Sequence, residues 1–224
     1  MRIRRVGMSP PGRPKGEYRS AKHRGCLMSL VALATWGLAS CGGSSSNPFD
    51  NPAPVVNDPG SVTGQKLSFA YFQKCINPIF LAELPIQLNG TTTTNTCAGS
   101  GCHASATGTG GAFRVVPAAT DVDVSDPANT ADVIRATDMY KNFYSAQGET
   151  VVGSTTQSRL LLKPQLLGVL HGGGLIFTSA TDANVKLIEY WISHPAPQGQ
   201  DEFSTATYAM FTPADPATGT CNTQ

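Results

Sequence analysis

Apolar side chains recur at helical spacing in three stretches of this chain. Phe69, Phe72, Ile76, Ile79 and Phe80 fall on one face of a helix over Ser68–Phe80, so an amphipathic helix is predicted there. Ser125-Asp126-Pro127 has the form of a helix start, with proline tolerated in the first turn, and places Val133, Ile134, Tyr140 and Phe143 on one buried face. Thr181-Asp182 caps a last helix carrying Val185, Ile188, Trp191 and Ile192 on one side, which ends before Pro195. A shorter apolar piece, Ser158–Lys163, is halted by Pro164. Residues 89–111 are rich in Gly, Thr, Ser and Asn and carry no period, which predicts loop. Residues 196–224 also read as loop, with a turn of helix near Phe203–Met210. Little of the chain alternates with period two, so the expectation is a mainly α domain with long loops over residues 66–224. About 160 residues are enough to close one core.

The N-terminal part follows a different pattern. A basic segment ends at Arg24, an apolar run extends from Cys26 to Leu38, and small residues follow. The run is too short for a comfortable membrane span, which needs about 20 apolar residues. A basic region, a short apolar region and small residues are the parts of a secretory signal, here residues 1–40. Leu38-Ala39-Ser40-Cys41-Gly42 resembles the lipobox of bacterial lipoproteins. That resemblance implies that Cys41 becomes the first mature residue and carries acyl chains. An ordinary cleaved signal with an incidental cysteine is the alternative. Residues 41–65 continue with Gly, Ser, Asn, Asp and Pro, too polar to order themselves, and predict a flexible tether.

Charge divides the chain at the same place. The formal net charge is +1, but residues 1–40 hold eight Lys/Arg against Glu17 alone, and the remainder has a net charge of −6. An acidic mature region lacks the basic footprint of a nucleic-acid binder. No carboxylate pair or nucleophile motif suggests a catalyst.

The six cysteines are the most informative residues. Cys26 lies in the signal and Cys41 in the lipobox, leaving Cys75, Cys97, Cys102 and Cys221. An exported domain permits disulfides. In Cys97-Ala98-Gly99-Ser100-Gly101-Cys102-His103 the second cysteine is followed directly by histidine, the arrangement used for covalent haem attachment. Each thiol there adds to one vinyl group, and the adjacent imidazole sits under the iron. Four residues separate the thiols instead of the usual two. A Cys97–Cys102 disulfide with His103 as a bystander is a second reading. A zinc site of Cys97, Cys102, His103 and one distant ligand is a third.

The wider sequence resembles the single-haem c-type cytochromes common in environmental bacteria, in a variant with four residues between the cysteines. The likeness rests on Phe69-Ala70-Tyr71-Phe72 running into Ile76-Asn77-Pro78, on Cys97…Cys102-His103, and on Gly110-Gly111-Ala112-Phe113. It continues through Ser158–Pro164, His171-Gly172-Gly173-Gly174 and Glu189-Tyr190-Trp191-Ile192, and so spans about residues 68–195. It implies a cytochrome c-like domain, one covalent haem c on Cys97 and Cys102, His103 as proximal ligand, and a redox partner protein. The implied role is single-electron transfer rather than catalysis, from a protein held to the membrane by its lipid. An open sixth position would instead permit peroxidase-like chemistry.

His171 is the first candidate for the sixth iron ligand. It follows Leu166–Leu170, and three glycines after it allow close backbone approach to a flat ring. Met210, beyond the last strong helix, is the alternative; Met139 reads as core and His194 as a helix end. Cys75 and Cys221 remain as a pair. A bridge between them would staple the C-terminal tail across the domain, worth up to roughly 5 kcal/mol in the chain-entropy model. The competing functional class is a colourless, disulfide-stapled lipoprotein acting as a structural or interaction module.

Overall fold

The computed structural model describes residues 64–224. The expected export signal 1–40, the expected lipidation site Cys41 and nearly all of the expected tether 41–65 lie outside the described residues.

The central element is one helical run in three parts: α1 (Phe69–Tyr71), a π-helical turn (Phe72–Ile76) and α2 (Asn77–Leu81). Ser68 caps its start, its hydroxyl accepting from the Tyr71 N–H at 3.2 Å. Pro78 explains the wide turn. In a regular α-helix its ring would clash with the carbonyl four residues back, and the π turn, closed by the Asn77 N–H on the Phe72 carbonyl, relieves this. The run departs from the amphipathic expectation, because it is buried nearly all round. Tyr71, Cys75 and Gln73 are covered as well as the predicted face. The C-terminal segment covers that second side: the Tyr71 hydroxyl donates to the Asn222 carbonyl, and Phe211 packs 5.5 Å from the Tyr71 ring.

A hairpin follows, β1 (Leu84–Leu88) with β2 (Thr91–Asn95), paired antiparallel with Leu88 opposite Thr91. This corrects the expectation of structureless loop from residue 89. The overlooked signal is Asn89-Gly90, both at positive φ (51° and 79°), the two-residue turn whose twist matches a hairpin. The strand period is invisible in β2 because all five of its residues are exposed.

The expected helix start at Ser125-Asp126-Pro127 is also corrected. There Asp123 and Asp126 accept backbone N–H bonds from Ser125 and Ala128, holding turns in place of a helix. Two helices come later: α3 (Ala131–Arg135), capped by Thr130, and α4 (Asp138–Gln147), capped by Thr137. The break between them takes Val133 out of the common face, and it is exposed, whereas Ile134 and Phe143 are buried and Tyr140 is half-buried. α5 (Arg159–Leu162) and α6 (Ala183–Ser193) lie where the periodicity puts them, with Asp182 capping α6. A 3-10 turn (Thr205–Met210) leads to a short ladder of β3 (Phe211–Thr212) and β4 (Thr220–Cys221). The result is a mixed fold, in which helix exceeds strand and loops are extensive. Among the described residues no helix is long and apolar enough to cross a membrane.

The core is aromatic. Phe72 sits at its centre, with ring centroids 5.4 Å from Trp191, 5.5 Å from Phe143 and 6.1 Å from Phe80. Such pairs contribute about 0.5–1.5 kcal/mol each beyond their buried area. Cys75 and Cys221 are joined by a disulfide, their Cα atoms 6.1 Å apart, so the C-terminal ladder is bonded to the central run.

One buried carboxylate ties three segments together. Glu202 accepts from Tyr140 at 2.8 Å and from Arg135 at 3.0 Å, while its backbone carbonyl accepts from the Phe69 N–H. Burial pushes this carboxyl up, but the bonds from its own backbone, Tyr140 and Arg135 outweigh burial and hold it below its usual range. The folded state therefore binds this proton less readily than the unfolded chain. The stabilisation is fully present above the ordinary glutamate value and is lost as pH falls through the depressed one. Replacing Glu202 with Gln is expected to cost about 1–2 kcal/mol at neutral pH, with Arg135 partly solvated. The difference between variant and parent should shrink in urea titrations below about pH 4.

Candidate functional site

The sequence-marked residues sit on two loops that face each other across one cavity. The first begins where the central run ends. The Ala98 N–H bonds the Phe80 carbonyl at 3.0 Å, anchoring the segment to the core. Between the cysteines the chain folds back on itself: the Cys102 N–H bonds the Gly99 carbonyl, and the His103 N–H bonds the Cys97 carbonyl at 2.9 Å. The four-residue spacer is thus taken up in a tight turn, and Cys97, Cys102 and His103 line the same wall.

Both thiols are unbonded and half-buried, in contrast to the Cys75–Cys221 pair. Burial pushes the Cys97 thiol up to about 11, with the neighbouring Cys102 adding to the effect, so Cys97 is protonated at neutral pH. Among the described residues no group of three or more His, Cys, Asp or Glu side chains is gathered to hold a metal ion. The four-ligand zinc alternative therefore has no assembled ligand set. This bears neither way on a haem, whose iron takes two protein ligands.

His103 is held on three sides. Its Nδ1 lies 3.0 Å from the Phe113 carbonyl, the Phe113 ring packs 4.8 Å from the imidazole, and its own carbonyl accepts from the Val115 N–H. Gly110 closes against it: a Cβ there would lie 2.7 Å from the imidazole and from the Cys102 carbonyl.

The second loop carries His171. Its Nδ1 lies 2.7 Å from the Gly174 carbonyl, and the Gly174 N–H returns a bond to the His171 carbonyl, forming a closed turn. The hairpin fixes this turn in place, since Gln87 of β1 exchanges both backbone bonds with Leu175. Gly174, at φ +83°, passes so close that a Cβ would lie 2.5 Å from the Gln87 carbonyl. The overlooked hairpin is therefore what positions the candidate distal residue.

The two imidazoles are parallel within 5°, with centroids 6.3 Å apart. A carbonyl can only accept, so each Nδ1 carries the proton and each Nε2 keeps the lone pair. Burial holds both rings below the ordinary histidine range, and the nearby charge of Lys163 adds to this. Both are neutral at pH 7, the form that ligates metals.

The cavity measures about 530 Å³. Its walls include Ile79, Phe80, Leu84, Ile86, Leu160, Ile176, Phe177 and Ile188, an apolar surround of the kind a cofactor site offers, joined by several polar and charged residues. Met210 is not brought to it: it is buried in the core at the end of the 3-10 turn. Met139 is core, as expected. His194 stacks on Tyr190 at the end of α6, its Nδ1 near the Tyr190 carbonyl. Sequence reasoning passed over Arg159, Lys163 and Glu149, which also line the cavity. The i, i+4 spacing of the two cations was visible, but the face that α5 turns inward was not.

No protein-family model, no curated protein and no solved structure matches this chain.

Proposed function

We propose that the domain is a c-type cytochrome, carrying one covalent haem and passing single electrons to a redox partner protein. One observation carries this reading: His103, adjacent to two unbonded thiols, faces His171 across a single apolar cavity with the imidazole planes parallel. Their centroids lie 6.3 Å apart, a separation at which both imidazoles could reach one iron. Glycine at 110 and at 173 leaves room beside each imidazole, where a Cβ would lie 2.7 and 3.0 Å from the ring. Cys97 and Cys102 would hold the macrocycle through thioether bonds, and His103 and His171 would ligate the iron.

When bound, haem supplies the one-electron couple. The chain's own part is to fix both imidazoles in the Nδ1–H tautomer through carbonyls and to exclude water with apolar walls. His103 and His171 would both be taken up by the iron, which favours a carrier over a peroxidase-like catalyst. The lipobox at Cys41 supports export and lipid anchoring, on the periplasmic side of a membrane or at the cell surface.

Intact mass tests both halves. Protein made with a c-type haem maturation system should weigh one haem more than the chain beginning at Cys41, plus the mass of its acyl groups. Replacing Cys97 and Cys102 together with Ser should remove the haem increment and leave the acyl increment. A parent mass equal to the apoprotein with a second disulfide would select the stapled module instead.

A further inference from the structure

The cavity has a charged wall that the haem-attachment residues do not use. Arg159 opens α5 and Lys163 caps its end, four residues apart, which puts both side chains on one face of the turn. Both residues line the cavity, as do Ile79 and Phe80 of the central run. Both cations are half-buried. Among the described residues neither lies within ion-pair distance of a carboxylate, although three other cations, Arg135, Lys141 and Lys186, do have such partners. Glu149 is the other charged residue that lines the cavity, and Arg114, outside its lining, adds with Lys163 to the positive field at His103. Partial burial of two like charges without a counter-ion is unfavourable, and a bound anion would offset it.

We propose that Arg159 and Lys163 form a dicarboxylate subsite, taking the two propionate groups of the haem and setting which edge of the macrocycle points toward α5. This rests on the haem reading above. The geometry separates the tasks. The thiols of Cys97 and Cys102 belong to the loop after β2, so they would hold one edge of the ring. The two cations belong to α5, so they would hold the carboxylate edge. Arg159 can bind a carboxylate with two parallel N–H bonds, whereas Lys163 offers a compact charge. Beside two cations the propionates stay ionised well below neutral pH. Their protonation is then uncoupled from the iron at neutral pH, and the reduction potential is flat there.

The test is the midpoint potential of haem-loaded protein titrated between pH 5 and pH 8. The parent should show a flat profile over the neutral range. Arg159→Gln/Lys163→Gln should show a potential that falls as pH rises there, because a propionate now titrates and binds its proton more tightly when the iron is reduced. Each single Gln variant should show part of that slope, and is read in the same way if the double variant does not load haem. Lys141→Gln, which removes an exposed cation paired with Asp138, should leave the profile flat. A double or single variant that carries covalent haem by mass and keeps the parent profile overturns the subsite and leaves the haem reading standing. A parent chain with no haem increment overturns both.

Discussion

Replacing His171 with Ala in the haem-loaded protein should convert a low-spin ferric spectrum into a high-spin one. Added imidazole should restore the low-spin form, since it would refill the space that the lost side chain leaves. The effect should be large because, among the described residues, neither Met210 nor a third histidine lines the cavity. The described alternative, Met210, is 4 % exposed and packed in the core, and does not line the cavity. Met210→Ala should accordingly leave the spectrum low-spin while costing about 2–5 kcal/mol of stability. The reverse outcome, a low-spin His171→Ala and a high-spin Met210→Ala, would refute the assignment. It would also require the potential to be re-argued upward, because thioether ligation raises it relative to imidazole.

The largest stability effect is expected at Trp191. Its ring is fully buried against Phe72 and Phe143, and its indole N–H donates to the Ser68 carbonyl at 2.9 Å. Ser68 in turn caps the central run and donates from its hydroxyl to Thr207, so the indole meets the central run and α4 directly and the 3-10 turn through Ser68. Trp191→Ala leaves a cavity and an unpaired carbonyl, and should cost about 3–5 kcal/mol. In a domain of this size that lowers the melting temperature by roughly 10–20 °C. Trp191→Phe keeps most of the volume and loses the hydrogen bond, so it should cost less than half as much. Melting followed by far-ultraviolet circular dichroism separates the two. Equal losses would place the energy in the hydrogen bond rather than in the packing.

The positions where sequence and structure agree share a short physical range. The caps at Ser68 and Asp182 and the stop at Pro195 act within a turn of the residues they affect, so α6 and the central run begin and end where their residues predict. The adjacency of Cys102 and His103 is covalent, and the loop that brings Cys97 beside them closes within seven residues. The pairing of Cys75 with Cys221 was reachable for a different reason: among four available cysteines the other two lie together.

The remainder depended on tertiary contacts that local pattern does not encode. The central run has an amphipathic pattern but is buried nearly all round, because the C-terminal tail returns to cover its second side. The start at Ser125-Asp126-Pro127 lost to turns in which aspartates bond their own neighbours, and helix waited for the threonine caps. His171 faces His103 only because Gln87, in a strand whose partner was expected to be loop, bonds Leu175 across a separation of 88 residues. The same long-range placement turns Arg159 and Lys163 toward the cavity and keeps Met210 away from it. By itself the sequence determined the chemistry on offer: two thiols, an adjacent imidazole and a second imidazole among glycines. The tertiary structure decided which of these groups meet, since a distance between segments far apart in sequence is set by the whole core that packs between them.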